Sequence, residues 1–402
     1  MNSPRWRRPS FLNGADVRIL QVTSVYYPEL QFGGPPQKIH ALSRGLAARG
    51  QQVRVITLAH SQPSANHQIL AEGIPVQYLP WMGRGAWQAP LSWRPLIEAV
   101  RWADIVHGYG LYNLLCPLAT WQAQCQDKPF VLEPQGMAVA RAGNLPLKRL
   151  YHRSLTAYML HRAASVIATS PAEAADLSGA LPPERLIVRR NGIELDHFRS
   201  LPSRESFRQR YGIAAGAPLV LFVGRISPIK NLEMLLRAFA QASIPQARLV
   251  LVGPMLEPDY TARLRTVCSE LALDDAVLFV GPLYDDDKLA ALAAADLFVL
   301  PSLFESFGNA AAEAVAAGIP VLVTDRCGIA ELIHRCAGLA VPVTVEDLRD
   351  GMNDMLTPAI RDDTTRHRAQ VIDELSWKQP LQQMEQLYMS LIGTEWSETP
   401  RS

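Results

Sequence analysis

Apolar and polar positions along the chain fall into two successive series of the same kind. The first opens at Val17-Arg18-Ile19-Leu20-Gln21-Val22-Thr23-Ser24, a β-branched, apolar run that predicts a buried strand. A Gly/Pro loop follows at Gly33-Gly34-Pro35-Pro36. Residues Gln37 to Arg49 then carry Ile39, Leu42, Leu46 and Ala47 on one face and stop at Gly50, which predicts an amphipathic helix. Gln52-Val53-Arg54-Val55-Ile56-Thr57 is the next strand. Strand, short crossover and strand imply a parallel sheet. Further strands are expected at 74–79, 104–107, 129–133 and 165–169, and a long helix over 145–163.

Arg189-Arg190-Asn191-Gly192-Ile193 reads as a turn and 194–216 as a connector, after which the pattern restarts. Leu219-Val220-Leu221-Phe222-Val223-Gly224 is a strand, Asn231 to Ala242 a helix and Arg248-Leu249-Val250-Leu251-Val252-Gly253 a strand, and the alternation continues through 321–324. Two βαβ series joined by a linker predict an α/β fold of two facing Rossmann-like domains. Their expected extents are 16–200 and 201–375. Ligands on such sheets bind outside the carboxyl ends of the strands, so the interdomain cleft is the expected site.

Composition narrows the class. A chain of 402 residues exceeds one typical core. Its 48% hydrophobic and 19% charged content is that of an ordinary soluble enzyme. The net charge of +1 gives no general attraction to nucleic acid. Five scattered cysteines without a Cys-x-x-Cys pair point to a reducing compartment, hence the cytoplasm, and give no zinc signature. No apolar run reaches the roughly 18–20 residues of a membrane span. The paired Arg7-Arg8 is not followed by an apolar stretch, so residues 1–15 are expected to be a disordered basic tail.

The chemistry concentrates in loops after strands. Gly33-Gly34 lets the backbone approach a phosphate and present N–H groups to it. Pro35 and Pro36 suit a helix entry, where a missing N–H costs little. In Gly224-Arg225-Ile226-Ser227-Pro228-Ile229-Lys230-Asn231, Arg225 and Lys230 flank a turn and suit a diphosphate that leaves with negative charge. In Phe304-Glu305-Ser306-Phe307-Gly308-Asn309-Ala310-Ala311-Ala312-Glu313, two carboxylates bracket a glycine turn and a helix start. Such a start favours anions, and carboxylates accept hydrogen bonds from sugar hydroxyls. Eight helical residues would hold Glu305 and Glu313 about 12 Å apart, against the roughly 5–9.5 Å of a glycosidase acid/base pair. That spacing favours two separate binding roles. Plain readings stand beside these: a strand-to-helix turn for Gly33-Gly34, surface charges for Arg225 and Lys230, a solvent-facing residue for Glu313.

The set Gly33-Gly34, Gly224-Arg225…Lys230-Asn231 and Pro301-Ser302…Glu305-Ser306-Phe307-Gly308…Glu313-Ala314…Gly318-Ile319-Pro320-Val321 resembles the retaining family-4 glycosyltransferases of the GT-B fold. The likeness spans about residues 17–390 and is strongest in 219–334. It implies that Arg225 and Lys230 hold the donor diphosphate and assist its departure, and that Glu313 binds the ribose. It further implies that Glu305, with backbone N–H groups around Phe307, Gly308 and Asn309, grips the transferred sugar, while Gly33 and Gly34 close over the diphosphate. Val280-Gly281-Pro282-Leu283 resembles the segment that frames the base, placing Val280 and Leu283 among donor-binding residues. The resemblance implies no metal and no cofactor; Asp285-Asp286-Asp287 reads as a loop cap.

Many members of that family place a histidine after a strand near Glu133-Pro134-Gln135-Gly136-Met137, where this chain has Gln135. Gln135 can bond a sugar hydroxyl but cannot carry charge. His107 is the alternative cleft histidine, with a core residue as its plain reading. The basic helix 145–163, with Lys148, Arg149, His152 and Arg153 beside Leu150, Tyr151, Leu155, Tyr158 and Met159, is a candidate for contact with anionic lipid; packing on the core with a solvated basic face is the alternative. Ser376-Trp377 with Leu381, Met384, Leu387 and Tyr388 reads as a helix over 376–392, which in similar enzymes crosses back to the first domain. A flexible tail over 393–402 closes the chain.

The expected activity is sugar transfer from a nucleotide-diphosphate sugar to a saccharide or lipid-linked saccharide acceptor, in polysaccharide or glycolipid assembly. The inner membrane surface is a possible peripheral contact, and nucleic acid is not an expected partner. A sugar-nucleotide epimerase of similar architecture and a non-catalytic nucleotide-binding protein are the alternatives. The absent Gly-x-Gly-x-x-Gly fingerprint disfavours a dehydrogenase.

Overall fold

The computed structural model describes residues 16–60, 67–83, 87–139, 145–336, 338–357, 360, 368–369 and 371–393. The expected tail over 1–15 lies outside this set, as does that over 393–402 apart from Gly393, which ends the last helix.

The first domain is built on β1 (Arg18–Thr23), β2 (Gln52–Leu58), β3 (His67–Ala71), β4 (Ile74–Leu79), β7 (Ile105–Tyr109), β8 (Phe130–Glu133), β9 (Ser165–Ala168) and β10 (Leu186–Val188), with β5 (Trp81–Met82) and β6 (Ala89–Pro90) forming a small separate hairpin. The sheet order is β10-β9-β8-β7-β1-β2-β4-β3, parallel except for the β3–β4 pair. The central strand β1 has Ile19 paired with Val53 on one side and Ile105 on the other, and is buried from Ile19 to Thr23. Burial on both faces is what a parallel sheet covered by helices requires.

The second domain carries β11 (Leu219–Val223), β12 (Arg248–Val252), β13 (Val277–Gly281), β14 (Leu297–Leu300), β15 (Val321–Thr324) and β16 (Leu339–Val341) in the parallel order β13-β12-β11-β14-β15-β16. The α/β fold of two parallel-sheet domains is therefore present. The 194–216 segment is more than a connector. It contains a helix, Arg204–Arg210, whose buried Arg208 pairs with Asp296 at 2.8 Å and so docks it on the second sheet. At seven residues this helix is too short to show a clear period.

The expected helix over 145–163 runs as Leu145–Tyr151, a π-helical stretch His152–Thr156, and Ala157–Arg162. Tyr151 and Met159 are fully buried, while Arg149, Leu150 and Arg153 face outward. Helix Leu115–Cys125 escaped the sequence pattern because seven of its residues are buried, which leaves little contrast between its faces.

The C-terminal helix Lys378–Gly393 crosses to the first domain. Leu381, Met384 and Tyr388 join the core beneath helix Gly34–Ala48, and Arg49 pairs with Glu385 at 2.8 Å. Gly45 permits the contact: a Cβ there would lie 2.6 Å from a Leu381 methyl carbon. The two crossovers also pair with each other, Ile193 N donating to Leu375 O at 2.7 Å. Among the described residues no helix is long and apolar enough to cross a membrane.

His107 does not reach the cleft. It is the middle residue of β7, fully buried, with Nδ1 2.7 Å from Tyr388 Oη and 3.0 Å from Tyr109 Oη. The covering element lies 281 positions away, so no local pattern could announce it. Burial, aided by Arg189 and Lys38 against the opposing pull of Glu133, holds its pKa down to about 3. The folded chain keeps this imidazole neutral, whereas the unfolded chain protonates it near pH ~6.5. Its contribution is present above that pH and is lost as pH falls, at about 1.4 kcal/mol per unit. Chemical denaturation at pH 7, 6 and 5 should show a shallower acid loss for His107→Gln than for the wild type. Parallel curves would rule His107 out as the titrating group.

Candidate active site in the interdomain cleft

The loops after the strands of both sheets converge on one cleft of about 850 Å³. From the first domain come the loop after β1, the turn after β8 and the crossover at Asn191–Glu194. From the second come the turns after β11, β12 and β13 and the segment Phe304–Glu313.

Gly33 has φ +94° and starts helix Gly34–Ala48. The helix begins three residues before its predicted start because Pro35 and Pro36 fit its first turn, where the N–H groups have no intrahelical partner. Gly34 faces the other domain closely: a Cβ there would lie 3.1 Å from Asn309 Nδ2.

After β11, Lys230 N donates to Ser227 O at 2.9 Å and Asn231 takes a left-handed φ of +55°. Leu303 N donates to Ile229 O at 2.9 Å, tying this turn to the Glu305 loop. Lys230 Nζ then pairs with Glu305 Oε2. Glu305 is held by its backbone, which exchanges hydrogen bonds with Arg326 O and Gly328 N at 3.1 and 2.9 Å. Gly308, at φ +108°, precedes helix Asn309–Ala317, and Glu313 pairs with Lys288 at 2.8 Å. Each carboxylate thus has its own lysine. Arg225 is exposed in the same cleft.

Gly33, Gly34, Arg225, Lys230, Leu283, Glu305, Phe307, Gly308, Asn309, Glu313 and Gln135 all line the cleft. The Phe307 ring is packed in the second core, 1% exposed, so its contribution to a ligand is through the backbone. The Asn309 side chain accepts from Asn191 Nδ2 at 2.9 Å. Val280 is a correction: it sits on β13, packed against the core, and is not among the cleft-lining residues, which resume at Pro282. His107 is likewise outside the lining.

Gln135 takes φ +57° and Gly136 φ +78°. This turn is secured by the buried Glu173, which accepts from Gly136 N, from Thr169 N at 2.8 Å and from Thr169 Oγ1 at 2.7 Å. Gln135 Nε2 and Ser227 Oγ are buried without a hydrogen-bond partner among the described residues. Both residues line the cleft, so both donors suit a bound ligand.

Three cleft lysines were missed or misplaced by the sequence reading. Lys288 follows three aspartates and was hidden in a loop cap. Lys148 was assigned to an outward basic face, yet it lines the cleft 4.6 Å over the Tyr112 ring. Burial and the facing Arg225 lower its pKa. Lys38 pairs with the fully buried Glu133, which Arg189 also contacts at 3.0 Å. Its signal was available: Lys38 lies four positions before Leu42, on the apolar stripe.

Two parallel-sheet domains with a phosphate-suited glycine turn facing paired acids and bases across a cleft define a glycosyltransferase of the GT-B type. The family described as Glycosyl transferases group 1 matches residues 203–370, and the Glycosyl transferase 4-like domain matches residues 33–192. The chain is 31% identical over 333 residues to D-inositol 3-phosphate glycosyltransferase 2 of Catenulispora acidiphila, covering 75% of this chain and 76% of that one. Sucrose-phosphate synthase from Thermosynechococcus elongatus superposes with a TM-score of 0.77 at 25% identity, covering 94% of this chain and all of that one. HepE of Anabaena, solved in complex with UDP and glucose, gives 0.76 at 22% identity, covering 93% and 100%. The chain belongs to the glycosyl transferases group 1.

Replacing Glu173 by Ala strands three hydrogen-bond donors, two of them backbone N–H groups. Urea denaturation should show a loss of about 2 kcal/mol or more. A change below about 0.5 kcal/mol would mean that the Gln135–Gly136 turn does not depend on this carboxylate.

Proposed function

We propose that the protein is a retaining glycosyltransferase. It moves a sugar from a nucleotide-diphosphate sugar to an acceptor hydroxyl, in the assembly of cell-surface polysaccharide or glycolipid. The observation that carries this reading is the Lys230–Glu305 pair beside Arg225, at the carboxyl end of β11 and facing the Gly33–Gly34 helix start. Two cations and two helix N-termini suit a diphosphate, and the carboxylates suit sugar hydroxyls.

In this reading the bond from the sugar's anomeric carbon to the diphosphate oxygen breaks, and the acceptor oxygen bonds to that carbon on the same face. The acceptor proton passes to the departing diphosphate. Arg225 and Lys230 stabilise the charge that develops there. Glu305 holds the sugar and Glu313 the ribose. Because Glu305 and Glu313 are each engaged by a separate lysine, they are assigned binding roles rather than a shared acid/base step. Side-chain cations stand where a divalent metal would otherwise neutralise the leaving group, so transfer should survive chelation.

HepE, solved with UDP-glucose, makes UDP-sugars the first donors to test. The acceptor is a saccharide or lipid-linked saccharide read by the first domain. An anionic group on it is favoured by Lys148, which shares the cleft with Arg225. Outward Arg149, Leu150 and Arg153 are the surface through which peripheral contact with a membrane would be made.

A calorimetric screen of UDP-, GDP- and ADP-sugars should give one binding class. With that donor, Glu305→Gln, Arg225→Ala and Lys230→Ala should each lower transfer at least about tenfold with the fold retained by circular dichroism. Near-normal rates in all three would sink the assignment. Turnover of donor with no acceptor, giving an epimerised nucleotide sugar, would favour the epimerase instead.

A further inference from the structure

A line of polar side chains runs from the C-terminal helix, through the first core, to the start of the site helix in the other domain. Tyr388 Oη lies 2.7 Å from His107 Nδ1, and His107 Nε2 lies 3.9 Å from Glu133 Oε2. Glu133 Oε2 accepts from Arg189 Nη2 at 3.0 Å. The same Nη2 reaches Asn191 Oδ1 at 3.4 Å, and Asn191 Nδ2 donates to Asn309 Oδ1 at 2.9 Å. Tyr388, His107, Glu133, Arg189 and Asn191 are each at most 4% exposed.

Asn309 is the first residue of the helix whose N–H groups face the cleft, and Asn191 is on the crossover between domains. The crossover is stiffened on both sides of Asn191. Before it, Arg189 N donates to Ala168 O at 2.8 Å. After it, Ile193 N donates to Leu375 O at 2.7 Å, and Gly192 meets Trp377, where a Cβ would lie 2.6 Å from the indole. A carboxamide held this firmly, with its oxygen toward a buried guanidinium, has its N–H directed across the cleft. A buried amide without a partner costs free energy, so the Asn191–Asn309 bond favours the arrangement in which the two domains meet at the helix start.

We propose that Asn191 is a positioning residue for the donor site: it acts through Asn309 to fix the first turn of the site helix against the first domain, with the buried Glu133–Arg189 pair as its anchor. The backbone of Asn309 serves the ligand and its side chain serves the latch. The role in donor binding rests on the function proposed above; the latch itself does not.

The full chain without ligand provides the test. Amide hydrogen exchange over Ala312–Ala316, which starts at the first intrahelical bond, Ala312 N to Gly308 O, should quicken about tenfold in Asn191→Leu and in Asn309→Ala, with β11 and β12 unchanged. The double variant should exchange no faster than the faster single one, because both remove the same bond. Asn191→Asp keeps an oxygen for Arg189 and can accept from a rotated Asn309 amide, so it should stay within about threefold of the wild type. Exchange within about twofold of the wild type in Asn191→Leu, or additive effects in the double variant, would overturn the latch. Calorimetry with UDP, GDP and ADP then tests the link to function. The nucleotide that binds the wild type should bind Asn191→Leu about fivefold more weakly, and equal affinity would overturn the positioning role. If exchange behaves as expected and no nucleotide binds the wild type, the latch stands and the donor reading fails.

Discussion

A parallel sheet sends the carboxyl ends of all its strands to one edge, and two such sheets joined by paired crossovers turn those edges toward each other. Everything functional here follows from that constraint. The loops that supply Gly33, Gln135, Arg225, Pro282 and Glu305 come from strands far apart in sequence, yet they line one cleft. The constraint is maintained by contacts remote from the chemistry: Ile193 against Leu375, Trp377 against Gly192, and the C-terminal helix buried in the first core.

Charge is organised on two scales. Within the cleft each of Glu305 and Glu313 is matched by a lysine, while Arg225 faces Lys148 from the opposite domain and, with burial, lowers its pKa. Over the whole chain, residues 1–193 carry twenty Lys and Arg against ten Asp and Glu, and residues 194–402 carry nineteen against twenty-eight. Opposite net charges favour approach of the two domains, although salt screens the attraction beyond about 8 Å.

Much of the fold was legible in the sequence because the strands are two-sided and therefore continuously apolar: Leu219–Val223 and Val321–Thr324 stand out from their loops without any alignment. Glycine and proline punctuation located Gly33-Gly34 and the Glu305–Glu313 segment. What could not be read depends on contacts distant in sequence. His107 carries the same local marks whether it lines a cleft or meets Tyr388 across 281 positions. Val280 and Leu283 belong to one short motif, but only the second turns toward the ligand side. The helix around Lys148 marks it only as part of a basic face; its place in the cleft depends on Arg225, which the second domain brings opposite it. The Asn191–Asn309 bond joins a residue read as turn to one read as ligand contact, and neither reading implied the other.

The central claim is that both walls of the cleft hold one nucleotide diphosphate. A crystal structure of the chain with the nucleoside diphosphate that binds it in solution tests this directly. The account predicts the diphosphate within hydrogen-bonding reach of Arg225 and Lys230, with the Gly33–Gly34 backbone against its other side and Glu313 at the ribose. A nucleotide bound outside the cleft, or with its phosphates directed away from Arg225 and Lys230, would contradict it.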